Sequence, residues 1–234
     1  MRGFCFLTLC LVLTSIQVMK FHFLTIFPEM VLSYLEESML KRASEKKLAH
    51  FEVKNIRDFS ADKHSKTDDR PYGGGPGMVM TAEPILRAHS KLKMKGKRIK
   101  VIQLSPSGKM FTNEVAKKLA KTCSDIVFIC GRYEGVDDRV RKILKADEYS
   151  IGNYTLTGGE LPALVMTDAI VRQIPGVLGK FESVEENRIA SPRVYTRPEV
   201  FVWPKKEGKK YRVPKVLLGG DHKKIDEWRK KQKK

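Results

Sequence analysis

Asp125-Ile-Val-Phe-Ile-Cys130, then Gly131-Arg-Tyr-Glu-Gly135, then Val136 to Lys145 is the stretch on which the fold turns. Its first six residues form a strongly apolar run of strand length. Gly131 and Gly135 end that run with a turn, and the residues from Val136 to Lys145 have helical spacing. Strand, glycine turn and helix in succession is the unit from which α/β sheets are assembled.

The same unit repeats on either side. Phe21 to Phe27 alternates and is rich in aromatic and β-forming residues, which predicts a strand ended by Pro28. Met30, Leu32, Leu35, Met39 and Leu40 predict one helix over Glu29 to Arg42. Phe51 to Ile56 reads as a strand, and Asp58 to Met78, polar and then glycine-rich, as loop. A helix over Ala82 to Ser90 and a strand over Arg98 to Leu104 follow. Next come a helix over Asn113 to Lys121 capped by Thr112, a short strand over Asp147 to Ile151, and an apolar helix over Glu160 to Arg172. Strands alternating with helices predict an α/β fold with a mainly parallel sheet. The pattern weakens after Gly179. Phe181 to Pro198 reads as linker, and the C-terminal segment shows only two short helical patterns, Pro214 to Leu218 and His222 to Lys231.

The 234 residues carry 45 Lys and Arg against 27 Asp and Glu, a net charge of +18. An apolar fraction of 41% suffices for a packed core and excludes wholesale disorder. So large a surplus points to a polyanionic partner. From Pro204 to Lys234, 13 basic and 4 acidic residues leave +9, half of the total, with Tyr211 and Trp228 interleaved. Aromatic residues among cations suit stacking on bases together with phosphate contact. Cys5, Cys10, Cys123 and Cys130 form no C-x-x-C pair, which argues against a zinc site or a disulfide framework. Arg2 followed by the apolar run Phe4 to Leu13 has the look of a signal peptide and is short for a membrane span. Nothing downstream has a secreted character, and Met19 opens a clean strand pattern. The expectation is therefore a misassigned start at residues 1 to 18, with Met19 as the functional start.

Three glycine-containing loops follow strands: Leu104 to Gly108, Gly131 to Gly135, and Ile151 to Glu160. Open α/β sheets bind ligands beyond the carboxyl ends of their strands, where glycine permits close backbone approach. Such a pocket, polar mainly through backbone groups, suits an adenine-containing cofactor. Neither G-x-G-x-x-G nor a P-loop is present, so no dinucleotide or NTPase site is supported.

Lys20-Phe-His-Phe-Leu-Thr-Ile-Phe-Pro-Glu-Met30, Arg70-Pro-Tyr-Gly-Gly-Gly-Pro-Gly-Met78, Gly131-Arg-Tyr-Glu-Gly-Val-Asp137 and Ser150-Ile-Gly-Asn-Tyr-Thr-Leu-Thr-Gly-Gly-Glu-Leu-Pro162 run in order along the chain, with Ile174-Pro-Gly-Val-Leu-Gly179 and Tyr195-Thr-Arg-Pro198 after them. Together they resemble the bacterial tRNA (guanine-N1-)-methyltransferase family of the SPOUT superfamily. The resemblance runs from Met19 to near the C-terminus. It implies a parallel sheet tied into a deep trefoil knot, an exception to the rule of unknotted chains, followed by a small helical C-terminal domain. The implied domains are a catalytic domain over 19–180, a linker over 181–196 and a basic tRNA-binding domain over 197–234. The resemblance also implies a cytoplasmic homodimer, S-adenosylmethionine as methyl donor and a requirement for Mg2+, with no metal ligands identified. Cofactor contacts carry over to Pro106, Gly131, Tyr133, Glu134, Ile151, Gly152, Asn153, Tyr154, Thr155, Leu156, Gly158 and Gly159.

The chemistry states its own needs. Guanine N1 is protonated at neutral pH, so a general base must take its proton. The charge that builds on O6 needs a fixed cation. The family's arginine after the Gly-Gly-Glu-Leu-Pro helix falls on Arg172, expected to stabilise that charge, with Asp168 one turn earlier to orient it or pair with it. The family's linker aspartate falls on Asn187, which cannot accept the proton as a carboxylate does. Glu186, or Glu185, is the substitute if the backbone shifts. Alternatives are a ribose-methylating SPOUT enzyme, against which the Arg70 and Gly131 motifs argue, and a catalytically silent tRNA-binding protein, which Asn187 favours.

Overall fold

The computed structural model describes residues 18–94, 96, 98–178, 193–205 and 208–232. The chain divides into two compact units, one reaching Val177 and one beginning at Leu178.

The first unit runs β1 (Met19–Thr25), α1 (Pro28–Leu35), α2 (Ser38–Glu45), β2 (Ala49–Asn55), β3 (Asp68–Asp69), β4 (Val79–Met80), α3 (Ala82–Ser90), β5 (Ile99–Met110), α4 (Asn113–Thr122), β6 (Asp125–Ile129), α5 (Asp138–Leu144), β7 (Asp147–Ser150) and α6 (Glu160–Val171). Its five-stranded sheet has the order β2-β1-β6-β5-β7, and every pairing within it is parallel. The expected α/β class with a parallel sheet is what the chain adopts.

Alternation sends successive side chains of each strand to opposite faces, and both faces are covered. Phe23 pairs in register with Phe128, and their rings lie 5.4 Å apart. Phe21 meets Phe51 at 5.6 Å. Leu24, Val127 and Ile129 belong to a buried cluster with Ile85 and Ala88 of α3 and Val140 of α5. A sheet buried on both sides accounts for the apolar run Ile126 to Ile129 in β6, a strand whose five residues are all buried. Among the buried polar residues of the sheet, His22 is fully buried between Glu52 (Nδ1 to Oε2, 2.9 Å) and the buried Asp125 (Nε2 to Oδ1, 3.2 Å).

The single helix expected over Glu29 to Arg42 is two. Glu37 is extended and Ser38 takes φ 50°, a left-handed turn that re-aims the chain. Each short helix then buries its own pair, Val31 with Leu35 and Leu40 with Ala43. Thr112 caps α4 through its side chain, which accepts from the Val115 N–H at 3.4 Å.

In the second unit, β8 (Val200–Trp203) and β9 (Lys209–Arg212) form an antiparallel hairpin, followed by a short 3-10 turn over Lys215–Leu217 and by α7 (His222–Lys231). The hairpin corrects the purely helical expectation for this segment. Its β9 strand carries three cations and shows no apolar alternation. The end of β8 is followed at once by Pro204, so neither strand stands out from the sequence. Among the described residues no helix is long and apolar enough to cross a membrane.

Phe23→Ala removes a ring from the middle of the buried sheet face. It is expected to destabilise the protein by about 3–5 kcal/mol, measured as a lowered urea midpoint at unchanged m-value.

Candidate functional site

The carboxyl ends of β6 and β7 emit two of the glycine loops, whereas the remaining stretch, Leu104 to Gly108, expected as a loop, lies inside β5, where the register against β7 shifts between Leu104 and Lys109. Between them lies a cleft of about 350 Å³. Of the residues expected to contact S-adenosylmethionine, Pro106, Gly131, Tyr133, Glu134, Ile151, Gly152, Tyr154, Thr155, Leu156, Gly158 and Gly159 line it, and Asn153 does not. Gln103, Arg132 and Pro162 line it as well.

Backbone contact closes the cleft floor. The Gly159 N–H donates to the Gly131 carbonyl at 2.9 Å, and Arg132 and Gly158 form an antiparallel bridge. A Cβ on Gly159 would sit 2.8 Å from Cys130 Cα, so only glycine permits this approach. Tyr133 turns the intervening loop at φ 58°, left-handed for a bulky residue. Strain of that kind, on the order of 1–3 kcal/mol, gathers at ligand-binding turns. The Ser150 hydroxyl donates to the Gly152 carbonyl at 2.9 Å and steadies the third loop.

A buried ionic network fixes the loops to the sheet. Glu160, the first residue of α6, is 1% exposed. It accepts from Arg132 Nε at 2.9 Å and from the Thr25 hydroxyl at 2.7 Å. The same guanidinium reaches the Thr157 carbonyl at 3.3 Å and lies 4.6 Å from the centre of the Phe27 ring. Burial, and then the Glu160 carboxylate, push the Cys130 thiol well above its usual range. Cys130 is therefore an unreactive, fully buried thiol. Sequence reasoning had assigned no role to Arg132 or Glu160. The available signal was a lone glutamate opening an otherwise apolar helix, because a buried carboxylate demands a partner.

The Arg70 to Met78 loop is tied to the same place. The Glu134 N–H donates to the Met78 carbonyl at 3.0 Å, and the Met80 N–H to the Gly135 carbonyl at 2.9 Å. A Cβ on Gly77 would press on the Glu134 carboxylate. Tyr72, beside Gly73, Gly74 and Gly75, stands fully in solvent.

Asp168 and Arg172 are not among the cleft-lining residues. The Asp168 carboxylate accepts the Tyr34 hydroxyl at 2.9 Å, a bond that raises the phenol above its ordinary range. The backbone N–H of Arg172 closes α6 on the Asp168 carbonyl at 3.0 Å. Glu185, Glu186 and Asn187 lie outside the described residues.

The cleft suits an adenosyl compound of modest size: its volume lies at the small-ligand end of the usual range, and much of its lining is glycine backbone. Among the described residues no three His, Cys, Asp or Glu side chains converge as a metal cage. No metal ligands are assigned.

The family model described as tRNA (Guanine-1)-methyltransferase TrmD matches residues 19–234. A tRNA (guanine-N(1)-)-methyltransferase of Clostridioides difficile (strain 630) is 48% identical over 221 residues, 92% of this chain and 92% of that protein. Proteins of the same name from Desulforamulus reducens (47% over 220 residues, 92% of this chain and 84% of that protein) and Staphylococcus carnosus (48% over 219 residues, 92% and 86%) are similar to the same extent.

Glu160→Gln leaves a largely buried guanidinium without its counter-charge. It is expected to cost about 3 kcal/mol in urea unfolding, and Arg132→Met/Glu160→Leu to recover most of that loss. Gly159→Ala forces the two loops apart. It is expected to abolish the rise in Tm given by S-adenosylhomocysteine, whereas Gly219→Ala, with open space around it, keeps that rise.

Proposed function

The chain belongs to the tRNA (guanine-1)-methyltransferase family, and from that membership and its cleft we propose that it methylates N1 of the guanosine directly 3′ of the anticodon, position 37, in tRNA. The observation that carries this reading is the cleft at one sheet edge, where the irregular stretch of β5 and the glycine loops after β6 and β7 meet.

S-adenosylmethionine, when bound, supplies a methyl carbon made electrophilic by its sulfonium. The residues of the chain do the rest. Gly131, Gly152, Gly158 and Gly159 admit the donor against the backbone. Tyr133, Tyr154 and Leu156 offer it apolar surface at the rim. The target base leaves its stack to reach the cleft, with the Arg70 to Met78 loop beside the entrance. Arg172, outside the cleft of its own chain, neutralises charge developing on O6 in the cleft of a second copy, Asp168 anchors the helix end that carries it, and Glu186 takes the N1 proton in place of the carboxylate that Asn187 lacks. Mg2+, for which the described residues offer no cage, would act as a counter-ion of the RNA.

The knotted connection belongs to this reading. After the edge strand β7, the chain crosses back past β5, so that Gly158 pairs with Arg132 in the loop after β6. A homodimer belongs to it too. Leu161 and Val165 on α6 and Met30 and Tyr34 on α1 are each about half exposed. The two stripes adjoin at the Tyr34–Asp168 bond, and α6 is apolar nearly all round, as a helix covered by a second copy would be. The basic segment from 197 to 234 grips tRNA phosphates, residues 181–196 link it to the catalytic domain of 19–180, and the enzyme works in the cytoplasm, where its substrate is.

Labelled methyl transfer to a tRNA transcript tests this. Arg172→Ala is expected to lower kcat by roughly a hundred- to a thousand-fold with little change in KM for the donor. Among Glu185→Ala, Glu186→Ala and Asn187→Ala, the Glu186 variant is expected to lose most, on the order of a hundred-fold or more. Full activity in all three removes the base from the linker. A parent chain that binds tRNA and transfers nothing makes it a silent binder.

A further inference from the structure

The β8–β9 hairpin carries an aromatic face that the catalytic reading leaves unused. In its register Phe201 lies opposite Tyr211 and Trp203 opposite Lys209. Directly paired and alternate residues share a face, so Phe201, Trp203, Tyr211 and Lys209 project from one side. All three rings are exposed, at 51%, 60% and 53%. The Phe201 and Trp203 rings are nearly parallel, 9° apart in plane with centroids separated by 6.3 Å. Lys209 Nζ hangs over the Tyr211 ring at 5.9 Å.

Three large rings held in water are a cost that a soluble protein rarely bears without a partner. The charge around them chooses the partner. From Glu199 to Arg212 the chain has Lys205, Lys206, Lys209, Lys210 and Arg212 against Glu199 and Glu207. A protein-docking patch is ordinarily depleted of lysine. Flat rings with Lys209 on their own face and further cations on the same short hairpin match unpaired nucleotides, whose phosphates meet the lysines while their bases stack on the rings. Duplex RNA hides those base faces, so the match is to single-stranded segments.

We propose that this hairpin face is a stacking platform for unpaired bases of an RNA, formed by Phe201, Trp203 and Tyr211 and held in electrostatic register by Lys209. The proposal rests on the tRNA reading above and adds a second contact to it, one made with bases rather than with phosphates alone.

The test uses the full chain with two probes, an unstructured oligoribonucleotide and a perfect RNA duplex of the same length. Phe201→Ala/Tyr211→Ala is expected to weaken single-strand binding by about tenfold or more while leaving its salt slope unchanged. Duplex binding by that variant should change by less than about threefold. Lys209→Ala/Lys210→Ala should instead reduce the salt slope by roughly 0.7 for each lost charge. Trp203→Phe keeps a ring and should keep single-strand affinity. The quenching of tryptophan emission by the oligonucleotide in the parent should be missing from this variant, in which only Trp228 remains to emit. Equal losses on both probes, or none, overturn the proposal. So do aromatic variants that change the sedimentation coefficient yet bind RNA normally, because the face is then a protein contact. A parent that methylates tRNA while the aromatic variants bind like it rejects the platform alone. A parent inert on tRNA, with the stacking loss intact, rejects the enzymatic reading alone.

Discussion

The carboxylate of Glu160 has almost no access to water, and the site is arranged around what that requires. An ionised carboxylate in such a place must be paired and fully hydrogen-bonded. Arg132 and Thr25 meet the need, one from the loop after β6 and the other from the end of β1. The first turn of α6 adds the favourable end of the helix dipole. One side chain thus joins the end of β1, the glycine loop after the neighbouring β6 and the helix that leaves the cleft. A pair of this kind adds little net stability against an apolar substitute. Its contribution is to fix which loop lies against which strand end.

The cleft follows from that alignment. With Arg132 held down, Gly131 and Gly159 come within hydrogen-bond distance across the two loops, and no side chain larger than hydrogen fits at Gly159. Tyr133 is left in a left-handed turn at the rim. Strain there is sustained by the fully packed sheet beneath it. The pocket is lined by residues of three separate stretches, 103–106, 131–136 and 149–159, so it depends on how those stretches are positioned.

Much of this was legible in the sequence because it is local. The period-two and period-3.6 patterns placed β1, β2, β6, β7 and α3 to α6 within a few residues, whereas β5 continues past the expected end at Leu104 to Met110. The rest was hidden for physical reasons. The break between α1 and α2 turns on a single left-handed Ser38 that no propensity would signal. The Arg132–Glu160 pair spans 28 residues and comes into being only when the chain folds back. The hairpin was hidden because its strands carry aromatics and cations on one face, without the apolar–polar alternation by which strands are recognised. Glu186 and Asn187 fall outside the described residues, so the proton acceptor rests on chemical need and on family resemblance.

Hydrogen–deuterium exchange on the full chain with saturating S-adenosylhomocysteine tests the central claim most directly, because it reports where the ligand sits. The account predicts slowed exchange concentrated in residues 131–135 and 151–159, with the amides of β2 unchanged. Protection absent from those loops, or centred elsewhere on the sheet, would contradict it.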